Sequence, residues 1–238
     1  MSRPLSRALA FDTSTDVLSM GVLADGRVQV RTLAGGAQAS STLIPAALEM
    51  LAQSGVGLSQ LDAIVFGRGP GSFTGLRTAC AVAQGLALGA QLPVLPVDTL
   101  LAVAEEARVR AGADDAPLTV LALLDARMDE VYSAAWDWDG RHWTPRSPLQ
   151  VSAPEQVRLP EAERVLLAGN AFEAYGQRLP AGERLTALPT ADALLRLASA
   201  LWAQGLAVPP EQAMPLYIRD KVAQTTAERE AAKKAGPA

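Results

Sequence analysis

Hydrophobic and polar positions alternate along the first part of the chain in a pattern that predicts strands and helices in turn. ALAFDTST, VLSMGVLA and VQVRTLA predict three strands, with Asp25 and Gly26 as the hairpin turn between the last two. SSTLIPAALEMLAQSG has apolar residues at helical spacing and predicts a helix that Ser40 or Ser41 caps and Gly55 ends. A strand, LDAIVFG, a glycine-rich turn, a helix rich in small residues, a short strand, LPVLPVD, and a helix, TLLAVAEEARVRAG, follow.

The same pattern begins again in the second half, with LTVLALLDARMDEVYSAAWDWDGR. Asp12 and Asp125 are 113 positions apart, as are Asp16 and Asp129, and the two Asp-Gly turns are 114 apart. An internal duplication explains this spacing, and the alternative is that any two strand–turn–strand units look alike. Two aspartate-bearing turns that face one cleft are the layout of the actin, hexokinase and Hsp70 ATPases. We therefore predict an α/β, two-lobed actin/hexokinase/Hsp70-like fold with duplicated lobes, each led by a strand–turn–strand unit.

The predicted lobes are residues 1–105 and residues 106–222, followed by a flexible tail, residues 223–238, which has no large apolar side chain. TADALLRLASALWAQG predicts the last amphipathic helix. This helix either belongs to the second lobe or packs back on the first.

Composition narrows the function classes. Of the 238 residues 49% are hydrophobic, the net charge is −4 and no dense run of Lys and Arg occurs, which argues against direct tight binding of nucleic acid. No stretch approaches the ~20 apolar residues of a membrane span. We therefore expect no contact with a membrane. The single cysteine, Cys80, excludes an intramolecular disulfide, so we expect a cytoplasmic protein.

The glycine-rich turn, GRGPGSFTGLR, is the most unusual stretch of the sequence. A P-loop would need a lysine, and a dinucleotide fingerprint would need glycine where Thr74 stands. The glycines instead supply backbone freedom between strand and helix, and Ser72 or Thr74 caps the helix, whose exposed N–H groups still suit an anion. The loop comprises Gly67, Arg68, Gly69, Pro70, Gly71, Ser72, Phe73, Thr74 and Gly75.

Few side chains are candidates for chemistry. Asp12 and Asp125 lie on turns where ATPases of this fold place Mg²⁺ and water, and the alternative is that each caps its own turn. Cys80 is expected in the core and His142, the only histidine, on the surface. A vestigial nucleotide or phosphate loop would consist of Asp12, Thr13, Ser14, Thr15, Asp125 and Gly169.

Four stretches together resemble a known family. GRGPGSFTGLRTACAVAQGLALG closely resembles the signature of the TsaB family, also called YeaZ. LAFDTST, DARMDEVY and PLYIRDKVA resemble its first strand and loop, a second internal stretch and its C-terminal motif. The resemblance extends to about residue 223.

The resemblance implies a function. Members of this family belong to the bacterial machinery that makes threonylcarbamoyladenosine in tRNAs that read ANN codons. They pair with a homologous subunit, TsaD, which carries the metal and the transfer chemistry, and an ATPase, TsaE, joins the pair. We therefore expect a non-catalytic scaffold subunit with no required cofactor. Weak binding of ATP or ADP stays open, and tRNA would be contacted only through the partner.

Two alternatives follow from the residues themselves. An H-x-x-x-H pair, which binds metal in the catalytic sister family, would fall on Thr99 and Val103, and neither can bind a transition metal. The chain therefore lacks the set of metal ligands that a metallopeptidase would need. An ATP-dependent small-molecule kinase of the same fold would need an adenosine pocket and phosphate loops in both lobes, yet DARMDE contains no glycine.

Two helices are predicted to contact the partner. In TsaB-like proteins they bind TsaD or, in its absence, a second copy of the chain. Small residues spaced by four let another helix approach closely, and the first helix offers a broad apolar face. The alternative is that both stripes only pack on their own sheet. The predicted contact residues are Leu43, Ala47, Leu48, Leu51, Ala79 and Ala83.

Overall fold

Two β-sheets with the same strand order organise the computed structural model, which describes residues 3–219. The predicted tail, residues 223–238, lies outside the described residues. The first sheet and its helices comprise β1 Arg7–Asp12, β2 Val17–Ala24, β3 Arg27–Ala34, α1 Ala39–Gln53, β4 Ala63–Gly69, α2 Phe73–Ala90, β5 Val94–Asp98 and α3 Thr99–Arg110. The remainder comprises β6 Leu118–Asp125, β7 Val131–Trp138, β8 Trp143–Pro145, β9 Gln150–Ser152, β10 Val165–Gly169, α4 Ala171–Tyr175, β11 Glu183–Thr186 and α5 Ala191–Ala203.

The strand order shows the duplication directly. The first sheet runs β3-β2-β1-β4-β5, and the second runs β8-β7-β6-β10-β11, with β9 added on β7. In each sheet the leading strand, β1 or β6, pairs antiparallel with the next strand and parallel with a later one. The predicted two-lobed actin/hexokinase/Hsp70-like α/β fold is therefore confirmed.

Helices and sheets alternate in layers. Helices α1 and α2 cover the outer face of the first sheet, and α5 covers its inner face. Helix α3 lies beside α5 and covers the inner face of the second sheet, whose outer face packs on α4. The last helix thus packs back on the first sheet. The predicted lobe boundary at residue 105 falls inside α3, which contacts strands of both sheets.

Local turn chemistry explains most element ends. Asp25 and Gly26 have φ of 48° and 85°, as a tight hairpin turn requires. Ser72 caps α2 by accepting a hydrogen bond from the Gly75 amide, which confirms one of the two predicted caps. Gly55, with φ of 68°, follows α1 as predicted.

The predicted serine cap of α1 is wrong. The helix begins at Ala39, and Gln38 precedes it without a side-chain hydrogen bond. Ser40 and Ser41 lie inside the first turn and donate to backbone carbonyls three residues earlier. A short 3₁₀ turn leads straight into the helix, so the serine hydroxyls never reach the amides that a cap would satisfy.

A buried carboxylate connects the two inner helices. Glu105 of α3 is 3% exposed and accepts hydrogen bonds from Arg108, Trp143 and Arg196. Arg196 belongs to α5 and Trp143 to β8, so the group joins both halves. Burial raises the pKa of Glu105, but hydrogen bonds from Arg108 and Trp143 outweigh it and hold the pKa below its ordinary value.

Within the described part of the chain, no helix is long and apolar enough to cross a membrane.

The hydrogen-bond network around Glu105 predicts a pH-dependent loss of stability. Glu105→Gln should lower the free energy of unfolding at neutral pH by about 3 kcal/mol, because the buried Arg108 guanidinium keeps only the exposed Asp114 as a counter-charge. A lowered folded-state pKa gives stability that is present above the unfolded pKa and lost as the pH falls through the folded pKa. The difference between variant and parent should therefore shrink in acid, which urea unfolding at several pH values measures. Arg164→Ala breaks an exposed pair with Glu183 and serves as the control, with a loss below about 1 kcal/mol. A pH-independent loss at Glu105 would contradict the prediction.

Candidate functional site

The predicted site lies where β1 and β4 end side by side. These strands are parallel neighbours, so the turn of residues 12–15 and the glycine loop of residues 67–75 leave the sheet at the same edge. The start of α3 adjoins them, because β5 is the next strand along. The structure thus brings the first turn, the glycine loop and Thr99 together.

Asp12 is fully buried, and its carboxylate is used inside the protein. One oxygen accepts from the Ser14 amide at 2.8 Å and the Ser14 hydroxyl at 2.5 Å. The other accepts from the Thr99 hydroxyl at 3.1 Å, and this hydroxyl in turn accepts from the Gly69 amide at 3.1 Å. Burial raises the pKa of Asp12 although the hydrogen bonds from Ser14 oppose it. Asp12 therefore holds its own turn and the glycine loop in place.

Backbone donors of the glycine loop are also engaged. The Ser72 amide donates to the Ser14 carbonyl at 2.7 Å, and the Gly75 amide donates to the Ser72 hydroxyl. In return, the Thr13 hydroxyl donates to the Gly75 carbonyl at 2.7 Å. A phosphate-binding loop needs such amides pointing outward, whereas here the Ser72 amide binds the neighbouring turn and the Gly75 amide binds the helix cap.

The glycines allow this close approach. An ideal Cβ would lie 1.7 Å from Asp12 Oδ2 at Gly67 and 1.8 Å from the Thr13 carbonyl oxygen at Gly75. Gly71 likewise has no room for a Cβ against the same turn. The glycine loop is thus shaped to contact protein backbone.

The second turn is closed differently. Asp125 accepts from the Tyr175 hydroxyl and the Arg127 amide, both at 2.7 Å, and its own amide donates to Asn170. Burial and the hydrogen bond to Asp125 raise the pKa of Tyr175 to about 12. Gly169, at the end of β10, has φ of 146° and would place a Cβ 1.8 Å from a backbone carbonyl. Position 169 therefore requires glycine, because a side chain there would overlap the neighbouring backbone.

A cleft of about 290 Å³ separates the two turns. Thr15 and Phe73 line it from the first half, and Asp125 lines it from the second. The Arg127 guanidinium crosses its mouth to Asp16 Oδ2 at 2.7 Å and also pairs with Asp125 at 3.1 Å. This arginine is thus neutralised on both sides of the cleft.

The remaining candidates lie away from the cleft floor. Cys80 is buried in the core of the first half, where burial raises the pKa of its thiol. His142 is largely exposed beyond the second hairpin. Among residues 3–219, no group of three or more His, Cys, Asp and Glu side chains is placed to hold a metal ion.

The predicted partner-contact residues need a correction. Leu48 is 48% exposed, but the five others are at most 3% exposed and pack between the helices and the first sheet. Those five cannot touch a partner, since they form the inner stripe of each helix. The outer stripe, which the apolar spacing did not distinguish, consists of Ile44 and Leu48 on α1 and Ala81, Gly85, Leu88 and Gly89 on α2.

Two glycines of α2 provide a matched test of this packing. Gly75→Ala should lower the free energy of unfolding by about 2–4 kcal/mol, because the new methyl group would overlap the Thr13 carbonyl. Gly85→Ala in the same helix should raise it by about 0.5–1 kcal/mol, because its Cβ meets no atom within 4 Å. Urea denaturation of both variants measures the difference, and equal effects would disprove the assignment.

One family model and several known proteins are similar to this chain. The family model described as "TsaD: tRNA N6-adenosine threonylcarbamoyltransferase" matches residues 36–162. The chain is 36% identical over 232 residues to the tRNA threonylcarbamoyladenosine biosynthesis protein TsaB of Escherichia coli strain K12, covering 91% of this chain and 96% of that protein. The TsaB protein of Haemophilus influenzae is also 36% identical, over 228 residues, covering 90% of this chain and 94% of that protein.

A solved structure extends this similarity to three dimensions. YeaZ from Pseudomonas aeruginosa superposes with a TM-score of 0.82 at 40% identity, covering 90% of this chain and all of that one. The sequence identity exceeds one third over nine tenths of the length, and the superposition agrees with it. Together they assign the family of the chain. The chain belongs to the TsaB (YeaZ) family.

Proposed function

We propose that the chain is a non-catalytic subunit of the machinery that transfers a threonylcarbamoyl group to adenosine in tRNAs reading ANN codons. It pairs with a TsaD-like catalytic subunit, and a TsaE-like ATPase joins the pair. It requires no cofactor of its own, binds ATP or ADP weakly at most, and meets tRNA only through its partner. The names of its relatives support the process, and the site geometry supports the non-catalytic role.

The observation that carries the proposal is the engagement of Asp12. In a working ATPase of this fold, the first turn presents a carboxylate and free amides to Mg²⁺ and phosphate. Here both Asp12 oxygens accept protein donors, and the Ser72 and Gly75 amides donate to protein oxygens. Phosphate binding would break several of these bonds at once, at a cost of about 1–3 kcal/mol for each group left unsatisfied.

The charge pattern of the cleft supports the same role. A bound triphosphate needs free cations, but Arg127 pairs with Asp16 and Asp125. Arg219, which also lines the cleft, pairs with Glu130. A small-molecule kinase would keep such groups available for the transferred phosphoryl group.

The outer stripe of α1 and α2 is the proposed partner surface. Leu88 and Leu48 are 71% and 48% exposed, and the small residues between them leave the α2 backbone open to a second helix. A TsaD-like subunit with a comparable helix pair would bury this face. Two copies of the chain would bury it in a homodimer when the partner is absent.

Charge substitutions on the two stripes separate binding from folding. Leu48→Asp should weaken partner binding at least about tenfold while changing stability by only about 0.5 kcal/mol, because the position is exposed. Ala83→Asp should instead lower stability by more than about 3 kcal/mol, because the charge enters the core. Calorimetric titration with the TsaD-like protein and urea unfolding measure the two effects.

An exposed position in the second half supplies the control. Leu159→Asp should change neither binding nor stability, since Leu159 is exposed and lies far along the chain from both helices. The surface would be misassigned if Leu48→Asp bound the partner as tightly as Leu159→Asp.

Reconstitution tests the function itself. The chain would be mixed with TsaD-like and TsaE-like proteins of the same organism, tRNA, ATP and a threonylcarbamoyl-adenylate synthase, and modified adenosine would be measured. Product should form only when the chain is present, and none should form from the chain without the TsaD-like subunit. Asp12→Asn should retain most of the yield, because its amide oxygen still accepts from Ser14, while the Thr99 hydroxyl loses its acceptor at a cost of about 1–3 kcal/mol in stability.

Two outcomes would reject the proposal. Equal yield without the chain would remove its role as a subunit. Loss of product with folded Asp12→Asn would show that the Asp12 carboxylate takes part in the chemistry, as in a kinase, and would direct the search to tight stoichiometric ATP binding.

A further inference from the structure

Residues 213–219, here called the strap, cross the front of the cleft without forming a helix or strand. They begin beside α2, pass the glycine loop and end at the second turn. Four of them, at positions 216–219, line the cleft itself. The strap thus forms part of the cleft wall.

Three contacts hold the strap on the first half. The Ala213 carbonyl accepts from the Cys80 thiol at 3.2 Å and from Gln84 at 2.8 Å. The Leu216 amide donates to the Arg68 carbonyl of the glycine loop at 2.7 Å. Tyr217 completes the attachment, as described next.

The Tyr217 side chain covers the first turn of α2. Its ring lies 5.4 Å from that of Phe73, and its hydroxyl accepts from Arg77 at 3.2 Å. The Arg77 guanidinium also lies 3.9 Å from the centre of the Phe73 ring. Phe73 and Tyr217 both line the cleft.

Arg219 holds the strap on the second half. Its guanidinium donates to the Ala126 carbonyl at 3.1 Å and to the Glu130 carboxylate. Between these two residues the backbone is strained, since three successive non-glycine residues have φ of 55–62°. Such conformations cost about 1–3 kcal/mol each and persist only when neighbouring groups hold them. Arg219 is one of those groups.

The seat of the strap is built into the glycine loop. Gly69 has φ of 118°, and a Cβ there would lie 2.7 Å from the Leu216 carbonyl oxygen. Only glycine therefore lets the strap approach β4 at this point. The fit distinguishes the strap from a chain end that merely rests on the surface.

Only Ala213 of the strap is fully buried, so the segment is held less firmly than the elements around it. Met214 and Tyr217 are 63% and 45% exposed, and one backbone hydrogen bond joins the segment to the glycine loop. The network at Glu105 joins the two halves on the inner helices without any strap residue. Segments with few buried contacts open locally, at a lower cost than global unfolding.

We propose that the strap is a detachable closure of the cleft, which leaves its seat by local opening while both halves stay folded and joined. Opening uncovers the cleft, the Arg68 carbonyl and the Cys80 thiol together. Because residues 216–219 line the cleft, opening of the strap changes its wall, and a ligand that binds the two states of the cleft differently would shift the strap equilibrium.

The single thiol of the chain reports this opening. Cys80 is 5% exposed under Ala213, so its alkylation by N-ethylmaleimide should proceed only from the open state. In the full-length protein, Tyr217→Ala and Arg219→Ala should each raise the alkylation rate about fivefold to tenfold, as expected for the loss of one such contact, and the double variant should raise it further. The parent rate should depend only weakly on low urea, because opening exposes little surface.

Arg178→Ala is the matched control. Arg178 pairs with Asp129 of the same strained turn but touches no strap residue in the described part of the chain. Cys80 of the Arg178→Ala variant should be alkylated at the same rate as in the parent protein. The proposal fails if the parent rate follows global unfolding at every urea concentration, or if Arg178→Ala accelerates alkylation as much as Arg219→Ala. The isolated chain suffices for this test, so its outcome is separate from that of the reconstitution.

Discussion

The buried carboxylate of Asp12 is the constraint on which the arrangement of the first half depends. A carboxylate without exposure needs a donor at each oxygen, and here the donors come from its own turn and from Thr99 at the start of α3. Thr99 reaches Asp12 only because β5 delivers α3 beside the glycine loop, and the loop lies close enough only because Gly67 has no side chain. One buried carboxyl group therefore fixes the relative positions of β1, β4 and α3.

The second half repeats the strand order but not this solution. Its Asp125 is held by Tyr175 and Asn170 from the segment after β10, together with the Arg127 amide. The two corresponding turns thus have different partners, and each partner set is internal to the chain. Arg127 bridges the cleft between them through an exposed ion pair with Asp16.

Local patterns predicted what local chemistry determines. The Asp-Gly hairpin, the Ser72 cap and the duplicated strand units all follow from backbone preferences or alternation within about ten residues, and the structure contains them. Five predicted contact residues are buried because α1 and α2 carry apolar or small residues on both faces, so periodicity alone does not show which face meets the sheet. The Glu105 network and the strap were not predicted, since their contacts, apart from Glu105–Arg108, join residues 38 to 148 positions apart in the chain. Such pairs leave no periodic trace in a single sequence.

Helix α2 has a separate task on each of its surfaces, and this explains its composition. Its inner stripe of alanines packs on the sheet, its first turn receives Thr13 and the strap, and its outer stripe is bare enough for a second helix. The approach of Thr13 leaves no room for a side chain at Gly75, and the inner alanines fit against the sheet without overpacking. Arg77 is exposed on the outside of the helix and also contacts Tyr217, so a partner that displaces Arg77 would loosen the strap at the same time. Linkage makes this relation reciprocal: release of the strap must then change affinity for that partner by the same factor.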